Sequence, residues 1–253
     1  MQTEKFAIEN PQGYLLAGTV SRPDKDKGKP VLLLHGFTGY KEEIHLESLS
    51  DTLVNAGYMP VRFDASGFGE SEGPISQFTV SNYLSDVETV YRWITSEREK
   101  TDPTMHVVGT SLGGLVALYF ARSHADVDKV CVISSPTKLG RSGYIKDQQN
   151  AWKKQGYLIK SSSRFGRLHI PYTFYTDAQK YDALDILPDI NSQLLVIAGD
   201  QDTTVPAEET MKIFAHAQEP KHSILIEGMR HDYKHQPDIL KQVNESVVRF
   251  LLG

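Results

Sequence analysis

The chain has 253 residues, of which 40% are hydrophobic and 23% charged, and its net charge is −5 with a pI near 6.0. This composition is typical of a globular protein, and it provides no global basic field that would attract nucleic acid. The single cysteine, Cys131, excludes an intrachain disulfide and a cysteine-based zinc site.

The N-terminus contains no apolar signal region, and no apolar run approaches the roughly 18 residues of a membrane-spanning helix. We therefore expect a cytoplasmic protein with no stable membrane insertion.

The first part of the chain predicts a hairpin followed by alternating strands and helices. Residues 5–9 and 14–20 form the predicted hairpin, because the sequence Asn-Pro-Gln-Gly between them is typical of a turn. Further strands are predicted at 30–34, 58–63, 105–108 and 128–133, and helices at 42–56, 79–99 and 114–121. This alternation favours a mostly parallel sheet whose active site lies at the carboxyl ends of the strands.

The regular pattern lapses between residues 137 and 190, where we identify no clear strand, and we interpret this stretch as an insertion that covers the site. The pattern then resumes, with strands predicted at 194–198 and 223–227 and helices at 206–217 and 236–252. The fold prediction is an α/β core formed by residues 1–136 and 191–253, with a small cap at 137–190. Its twisted sheet has about eight strands and helices on both faces.

A Gly-x-Ser-x-Gly pentapeptide at residues 109–113 is the strongest chemical signal. A short β-branched stretch precedes it and an apolar, helix-compatible stretch follows, which is the context of a nucleophile elbow. Gly109 and Gly113 leave room for the backbones that approach each other around this strained turn. A serine hydroxyl is a poor nucleophile at neutral pH and needs a histidine oriented by a carboxylate. Ser111 is therefore the predicted nucleophile.

Two later loops can provide the carboxylate and the histidine. The loop after residues 194–198 carries Asp200 and Asp202, and the loop after the last strand carries His231. With these motifs in place the sequence resembles an α/β-hydrolase, in which the order serine, acid, histidine is typical. The resemblance covers residues 4–252. The chain is similar to small bacterial carboxylesterases, feruloyl (cinnamoyl) esterases and monoacylglycerol-lipase-like enzymes.

The resemblance implies a role for each of these residues. Ser111 is the expected nucleophile, His231 the general base, and Asp202, rather than Asp200, the acid that orients the histidine. The backbone N–H groups of Phe37 and Leu112 are expected to form the oxyanion hole. The supporting loops contain His35, Gly36, Gly109 and Gly113. We also expect Asp200 to brace its loop, Asp232 to lie on the surface and Asp64 to have a structural role.

The predicted cap is basic and aromatic. Residues 137–170 contain eight basic residues and one acidic residue, Asp147. This charge either forms a solvated face that complements the acidic body, or attracts substrates with a carboxylate or phosphate, or an anionic surface. The aromatic residues either pack the cap onto the sheet or line an acyl pocket. The residues assigned to that pocket are Tyr144, Trp152, Tyr172 and Tyr175.

The predicted function is a serine ester hydrolase that forms an acyl-enzyme on small to medium esters, with hydroxycinnamoyl (feruloyl-type) esters as one option. A monoacylglycerol lipase, a thioesterase, an amidase or a peptidase are alternatives, and a non-catalytic binding protein of the same fold is a remote one. We expect a small-molecule ester as partner and neither a cofactor nor a metal. The oligomeric state stays open, with a homodimer as one option.

Overall fold

The structure is a computed structural model that describes residues 2–24, 28–96, 104–162 and 164–253. Its strands, in chain order, are β1 (Gln2–Glu9), β2 (Leu15–Arg22), β3 (Pro30–Leu34), β4 (Met59–Phe63), β5 (Met105–Thr110), β6 (Val127–Ile133), β7 (Tyr157–Ser162), β8 (Gly166–Pro171), β9 (Gln193–Gly199) and β10 (Lys221–Ile226). Its α-helices are α1 (Ile44–Asn55), α2 (Val80–Ser96), α3 (Leu112–Ser123), α4 (Gly143–Gln155), α5 (Tyr172–Ala178), α6 (Ala183–Ile186), α7 (Ala207–His216) and α8 (Pro237–Leu252). Among the described residues, no helix is both long and apolar enough to cross a membrane.

The central sheet has eight strands in the order β1-β2-β4-β3-β5-β6-β9-β10. Strands β1 and β2 are antiparallel to their neighbours in this sheet. The other six strands, β4, β3, β5, β6, β9 and β10, are parallel to one another. Every residue of β3, β4 and β5 is buried, as expected for parallel strands covered on both faces. The register pairs Leu34 with Gly109, so the end of β3 lies beside the Gly-x-Ser-x-Gly turn.

Helices cover both faces of this sheet, and alternate strand residues face opposite sides. Leu32 and Val107 pack with α2 and α3, whereas Leu33 and Val108 pack with α1 and α8. Cys131 is fully buried in the second of these layers. The predicted α/β architecture, with about eight strands and helices on both faces, is therefore confirmed.

Several element boundaries differ from the sequence prediction. The helix predicted over 79–99 begins at Val80, and residues 97–99 of that prediction lie outside the described residues. The strand predicted over 105–108 continues to Thr110, because its last two residues still pair with β6. Pro206 precedes α7 as its N-cap instead of occupying the first turn.

The predicted cap contains more regular structure than the sequence indicates. We expected no clear strand between residues 137 and 190, yet β7 and β8 form an antiparallel hairpin there, flanked by α4 and α5. The hairpin was missed because its apolar positions are few, with Leu158, Leu168 and Ile170 buried among polar and exposed neighbours. So short an alternation is a weak strand signal.

Polar contacts hold this segment against the core. Asp177 of α5 accepts hydrogen bonds from the backbone N–H and the hydroxyl of Ser81, at 2.9 and 2.6 Å. Beyond β7, the guanidinium of Arg164 donates to Glu42 at 3.1 Å and lies 4.6 Å from the ring of Tyr40. Tyr40 and Glu42 belong to the loop between β3 and α1, so these contacts fix the hairpin beside that loop.

A buried ion cluster fixes the loop after β3 from the opposite side. Lys41 and Asp64 are both fully buried, and the Lys41 Nζ donates to Asp64, Glu42 and Glu70, each at 2.7 Å. The backbone N–H of Lys41 also donates to Asp64, at 2.6 Å. Burial alone would lower the pKa of Lys41, but the hydrogen bonds to the three carboxylates outweigh it and raise that pKa. Asp64 therefore has the structural position expected from the sequence.

Replacing Lys41 with methionine is expected to lower the free energy of unfolding by about 3–5 kcal/mol, because the buried Asp64 carboxylate loses its counter-ion. The matched control is Lys5→Met, since Lys5 pairs with Glu70 at 3.2 Å but is mostly exposed. That change should cost less than about 1 kcal/mol. Urea unfolding of both variants measures the difference. Equal losses in the two variants would contradict a dominant role for the buried cluster.

Candidate active site

Ser111 lies in the sharp turn between β5 and α3, with φ of 54° and ψ of −121°. A non-glycine residue at positive φ is strained and persists only where the surrounding structure imposes it. A Cβ on Gly109 would lie 2.1 Å from the carbonyl oxygen of Gly113, and one on Gly113 would lie 2.4 Å from that of Leu34. Both positions therefore require glycine, as the sequence pattern predicts. The turn presents the Ser111 side chain at the carboxyl end of the sheet.

The structure brings together the three side chains predicted to act with one another. His231 Nε2 is 3.2 Å from Ser111 Oγ, and His231 Nδ1 is 2.8 Å from Asp202 Oδ2. Asp202 is 5% exposed, and its Oδ1 accepts the backbone N–H groups of Thr204 and Val205 at 2.9 and 2.8 Å. With its proton on Nδ1, His231 donates to Asp202 and presents Nε2 as an acceptor to the serine hydroxyl. This arrangement can remove the proton from Ser111 as its oxygen attacks a carbonyl carbon.

The other two aspartates near this point lie apart from the histidine ring. Asp200 accepts the backbone N–H of Gly228 at 2.7 Å, so it links the loops after β9 and β10. Asp232 is largely exposed and lies 3.7 Å from Arg230. Both positions agree with what the sequence suggested for them.

The loop that carries Phe37 approaches Ser111 closely. A Cβ on Gly36 would lie 3.4 Å from the Ser111 Cβ, in van der Waals contact with the serine. His35 is fully buried, and its Nε2 accepts the backbone N–H of Ala65 at 3.1 Å. Its Nδ1 then carries the proton and donates to the carbonyl oxygen of Gly36 at 2.8 Å. Phe37 and Leu112 line the same cavity as Ser111, which is where oxyanion donors are needed.

This cavity has a volume of about 510 Å³ and extends from Ser111 towards the predicted cap. Of the four aromatic residues assigned to a substrate pocket, Tyr144 lines it. Trp152, Tyr172 and Tyr175 do not, and this part of the prediction is corrected. Trp152 is 1% exposed and its Nε1 donates to the carbonyl oxygen of Ile170 at 2.9 Å.

Tyr172 and Tyr175 stack on each other with ring centroids 5.4 Å apart, and Trp152 lies within 6.3 Å of both. These rings join an aromatic cluster that reaches Phe37 through Phe174, at 4.8 Å. They therefore pack the predicted cap onto the core, which was the alternative considered for them.

Several charged or polar residues in the cavity wall were not expected from the sequence, among them Glu43, His45, Lys160 and Lys234. Lys234 donates to Glu43 at 2.6 Å. Burial opposes ionisation of Glu43, but the neighbouring His45 and Lys234 outweigh it and lower the pKa of Glu43. Burial lowers the pKa of His45 to about 4, so this ring is neutral at neutral pH. No motif marks these residues, because they come from separate loops, a helix and a strand.

Comparisons with known proteins identify the family and the fold of the chain. The family model described as serine aminopeptidase, S33, matches residues 25–185. The mitochondrial palmitoyl-protein thioesterase ABHD10 of Mus musculus is 21% identical over 222 residues, which cover 85% of this chain and 73% of that protein. A thermostable monoacylglycerol lipase of Bacillus sp. (strain H-257) is 30% identical over 105 residues, which cover 42% of this chain and 40% of the lipase.

Solved structures share the whole fold. Est1E from Butyrivibrio proteoclasticus with bound ferulic acid superposes with a TM-score of 0.80 and 22% identity, covering 98% of both chains. Alpha/beta hydrolase domain-containing protein 10 from mouse has a TM-score of 0.78 and 19% identity, covering 98% of both chains. At these identities the likeness shows an α/β-hydrolase fold.

Proposed function

Because the chain belongs to the serine aminopeptidase S33 family of hydrolases, we propose that it hydrolyses carboxylic esters through a covalent acyl-enzyme on Ser111. One observation carries the proposal: His231 lies between Ser111 Oγ and the buried carboxylate of Asp202, at 3.2 and 2.8 Å. All three side chains belong to one strained turn and two neighbouring loops at the carboxyl end of the sheet.

In the proposed mechanism, Ser111 Oγ attacks the ester carbonyl carbon while His231 Nε2 accepts the hydroxyl proton. The carbonyl oxygen becomes an oxyanion that accepts hydrogen bonds from the N–H groups of Phe37 and Leu112. The C–O bond to the alcohol then breaks, and the proton on His231 passes to the departing oxygen. A water molecule attacks the carbonyl carbon of the acyl-enzyme while His231 accepts its proton. The bond to Ser111 Oγ then breaks, the proton on His231 passes to Oγ, and the acid is released. Asp202 keeps the histidine in one tautomer and stabilises its charged form.

The cavity wall favours small to medium esters over long saturated ones. Lys160, Lys234 and Glu43 all line it, and a long alkyl chain placed against them would desolvate charged groups without any compensating interaction. A thioester would follow the same acyl-enzyme steps, so thioester hydrolysis is an alternative that the likeness to the mouse thioesterase supports. Amide and peptide bonds have poorer leaving groups than esters do. Their hydrolysis by the same residues therefore requires greater stabilisation of the transition state.

A substrate panel tests the proposal. The panel consists of 4-nitrophenyl esters of increasing acyl length, methyl ferulate, a monoacylglycerol, an acyl thioester and a 4-nitroanilide. We expect the highest kcat/KM for a short or medium ester and a fall towards the palmitate, because of the polar wall. Hydrolysis of the thioester alone would support the thioesterase alternative. Hydrolysis of the anilide without any ester turnover, or no hydrolysis at all, would contradict the proposal.

A further inference from the structure

The charges in the wall of the cavity do not balance. Three cationic side chains line it, Lys160, Arg230 and Lys234, against two carboxylates, Glu43 and Asp232. Lys234 pairs with Glu43 at 2.6 Å, and Arg230 lies 3.7 Å from Asp232. His45 is neutral because burial lowers its pKa to about 4. One positive charge, that of Lys160, is therefore left without an opposite charge in the wall.

Lys160 lies where the strand pattern would place an apolar side chain. It pairs with Leu168 across the β7–β8 hairpin, and directly paired residues point to the same face. That face also carries Leu158 and Ile170, and the three apolar residues are 6% exposed or less. Lys160 is half-buried in this position, so the partial removal of its ammonium group from water is unfavourable.

The partners of Lys160 do not offset this cost. Its Nζ lies 4.8 Å from the centroid of the Tyr144 ring, and no carboxylate of the described part of the chain lies within 4.0 Å of it. Burial, and then repulsion by Lys234, lower the pKa of Lys160. A cation–π contact stabilises an ammonium group by less than its removal from water costs. An anion from outside the chain would complete the site.

His45 lines the same cavity and is 7% exposed. Its ring nitrogens have no hydrogen-bond partner among the described residues, but both are buried beneath the cavity surface. Lys160 is therefore the group of this wall that would meet an anion in the cavity.

From these observations we propose that the substrate is an ester that carries a carboxylate, with Lys160 as the counter-ion of that carboxylate. The inference rests on the proposed function, since it specifies which esters the cavity accepts. A single uncompensated charge in the wall fits a monoanion. The excess of basic over acidic residues in 137–170, eight against one, adds long-range attraction for the same anionic substrates.

Two esters with equal acyl chain lengths test the inference: mono(4-nitrophenyl) adipate, which ends in a carboxylate, and 4-nitrophenyl hexanoate, which does not. The readout is the ratio of their kcat/KM values. We expect wild type to favour the adipate ester, and Lys160→Gln to lower the ratio by about tenfold or more, as loss of a hydrogen-bonded ion pair does. Lys160→Arg, which keeps the charge, should retain most of the ratio.

The matched control is Lys154→Gln. Lys154 belongs to the same basic segment, in α4, but it is exposed and outside the cavity wall. Its removal lowers the long-range charge by the same amount, so it should leave the ratio near the wild-type value. Raising the NaCl concentration to about 0.5 M should preserve the difference between wild type and Lys160→Gln, because a half-buried contact is screened less than exposed charges are.

The outcomes separate this inference from the proposed function. If wild type hydrolyses hexanoate but does not favour adipate, or if Lys160→Gln and Lys154→Gln change the ratio equally, the carboxylate site is refuted and the esterase proposal stands. If neither ester is hydrolysed, the esterase proposal fails, and the inference fails with it. Thermal unfolding of Lys160→Gln and Lys160→Arg identifies a variant that has lost its fold. If Lys160→Gln is unfolded, the kcat/KM ratio of folded Lys160→Arg tests the site instead. A ratio near the wild-type value supports the carboxylate site, and a low ratio refutes it.

Discussion

Ser111→Ala is expected to lower kcat for the best ester by on the order of 10⁵-fold or more, because no other group can form the acyl-enzyme. The substitution removes the Oγ that lies 3.2 Å from His231 Nε2 and leaves the rest of the site in place. Stability should change little. The strain at φ of 54° belongs to any residue with a Cβ, so alanine meets the same backbone conformation that serine already adopts.

The measurement is 4-nitrophenolate release by purified wild type and variant, with circular dichroism and thermal unfolding as controls for the fold. Removal of residual wild-type enzyme matters, since a contamination of about one part in 10⁴ would mask a loss of this size. A folded Ser111→Ala variant that retains more than about a tenth of the wild-type kcat would contradict the assignment of the nucleophile.

Asp202→Asn is expected to lower kcat by on the order of 10⁴-fold, since it changes the histidine tautomer without changing the shape of the site. The Oδ1 of Asp202 accepts from the backbone N–H groups of Thr204 and Val205, so an asparagine oxygen would occupy that position. The asparagine NH₂ would then face His231 Nδ1 and require that nitrogen to be an acceptor. The proton would move to Nε2, which could no longer accept the proton of Ser111.

Asp200→Asn is the matched control for this prediction. Asp200 lies in the same loop and accepts one backbone N–H, that of Gly228, which an asparagine oxygen can also accept. It is exposed, so the loss of its charge should change kcat by less than about threefold. Equal effects of the two substitutions, or a larger effect at Asp200, would overturn the assignment of the orienting acid. Kinetics at several pH values would show whether any residual activity follows a titrating histidine.

The sequence predicts the fold and the grouping of Ser111, Asp202 and His231 because both depend on local constraints. A strand that is buried on both faces requires an uninterrupted run of apolar residues, and the sequence of β3 is such a run. The elbow requires glycine at Gly109 and Gly113, where any Cβ would contact backbone atoms within 2.4 Å. The position of His231 after the last strand then follows from the order of the elements. The choice between Asp200 and Asp202 depends on the family resemblance, and the geometry agrees with it.

The walls of the cavity could not be predicted in the same way. An aromatic residue has the same sequence signature whether it lines a pocket or packs two layers together, so the sequence does not separate Tyr144, which lines the cavity, from Trp152, which is buried. Which residues of the hairpin share a face depends on the pairing of β7 with β8, which the sequence did not predict. From the sequence alone Lys160 is expected to be a surface charge. Its register opposite Leu168 places it on the inner face of the hairpin. His45 is likewise an ordinary helix residue in the sequence, and only the packing of α1 places it at the cavity wall.

Labelling with a fluorophosphonate tests the central claim most directly, because the reagent reacts with a serine only where a base and oxyanion donors activate it. Intact mass and peptide mapping would follow the adduct in wild type, Ser111→Ala and His231→Ala. The account predicts a single adduct in wild type, on the peptide that contains Ser111, absent from Ser111→Ala and strongly reduced in His231→Ala. An unlabelled wild-type chain, or an adduct that persists in Ser111→Ala at the wild-type level, would contradict it.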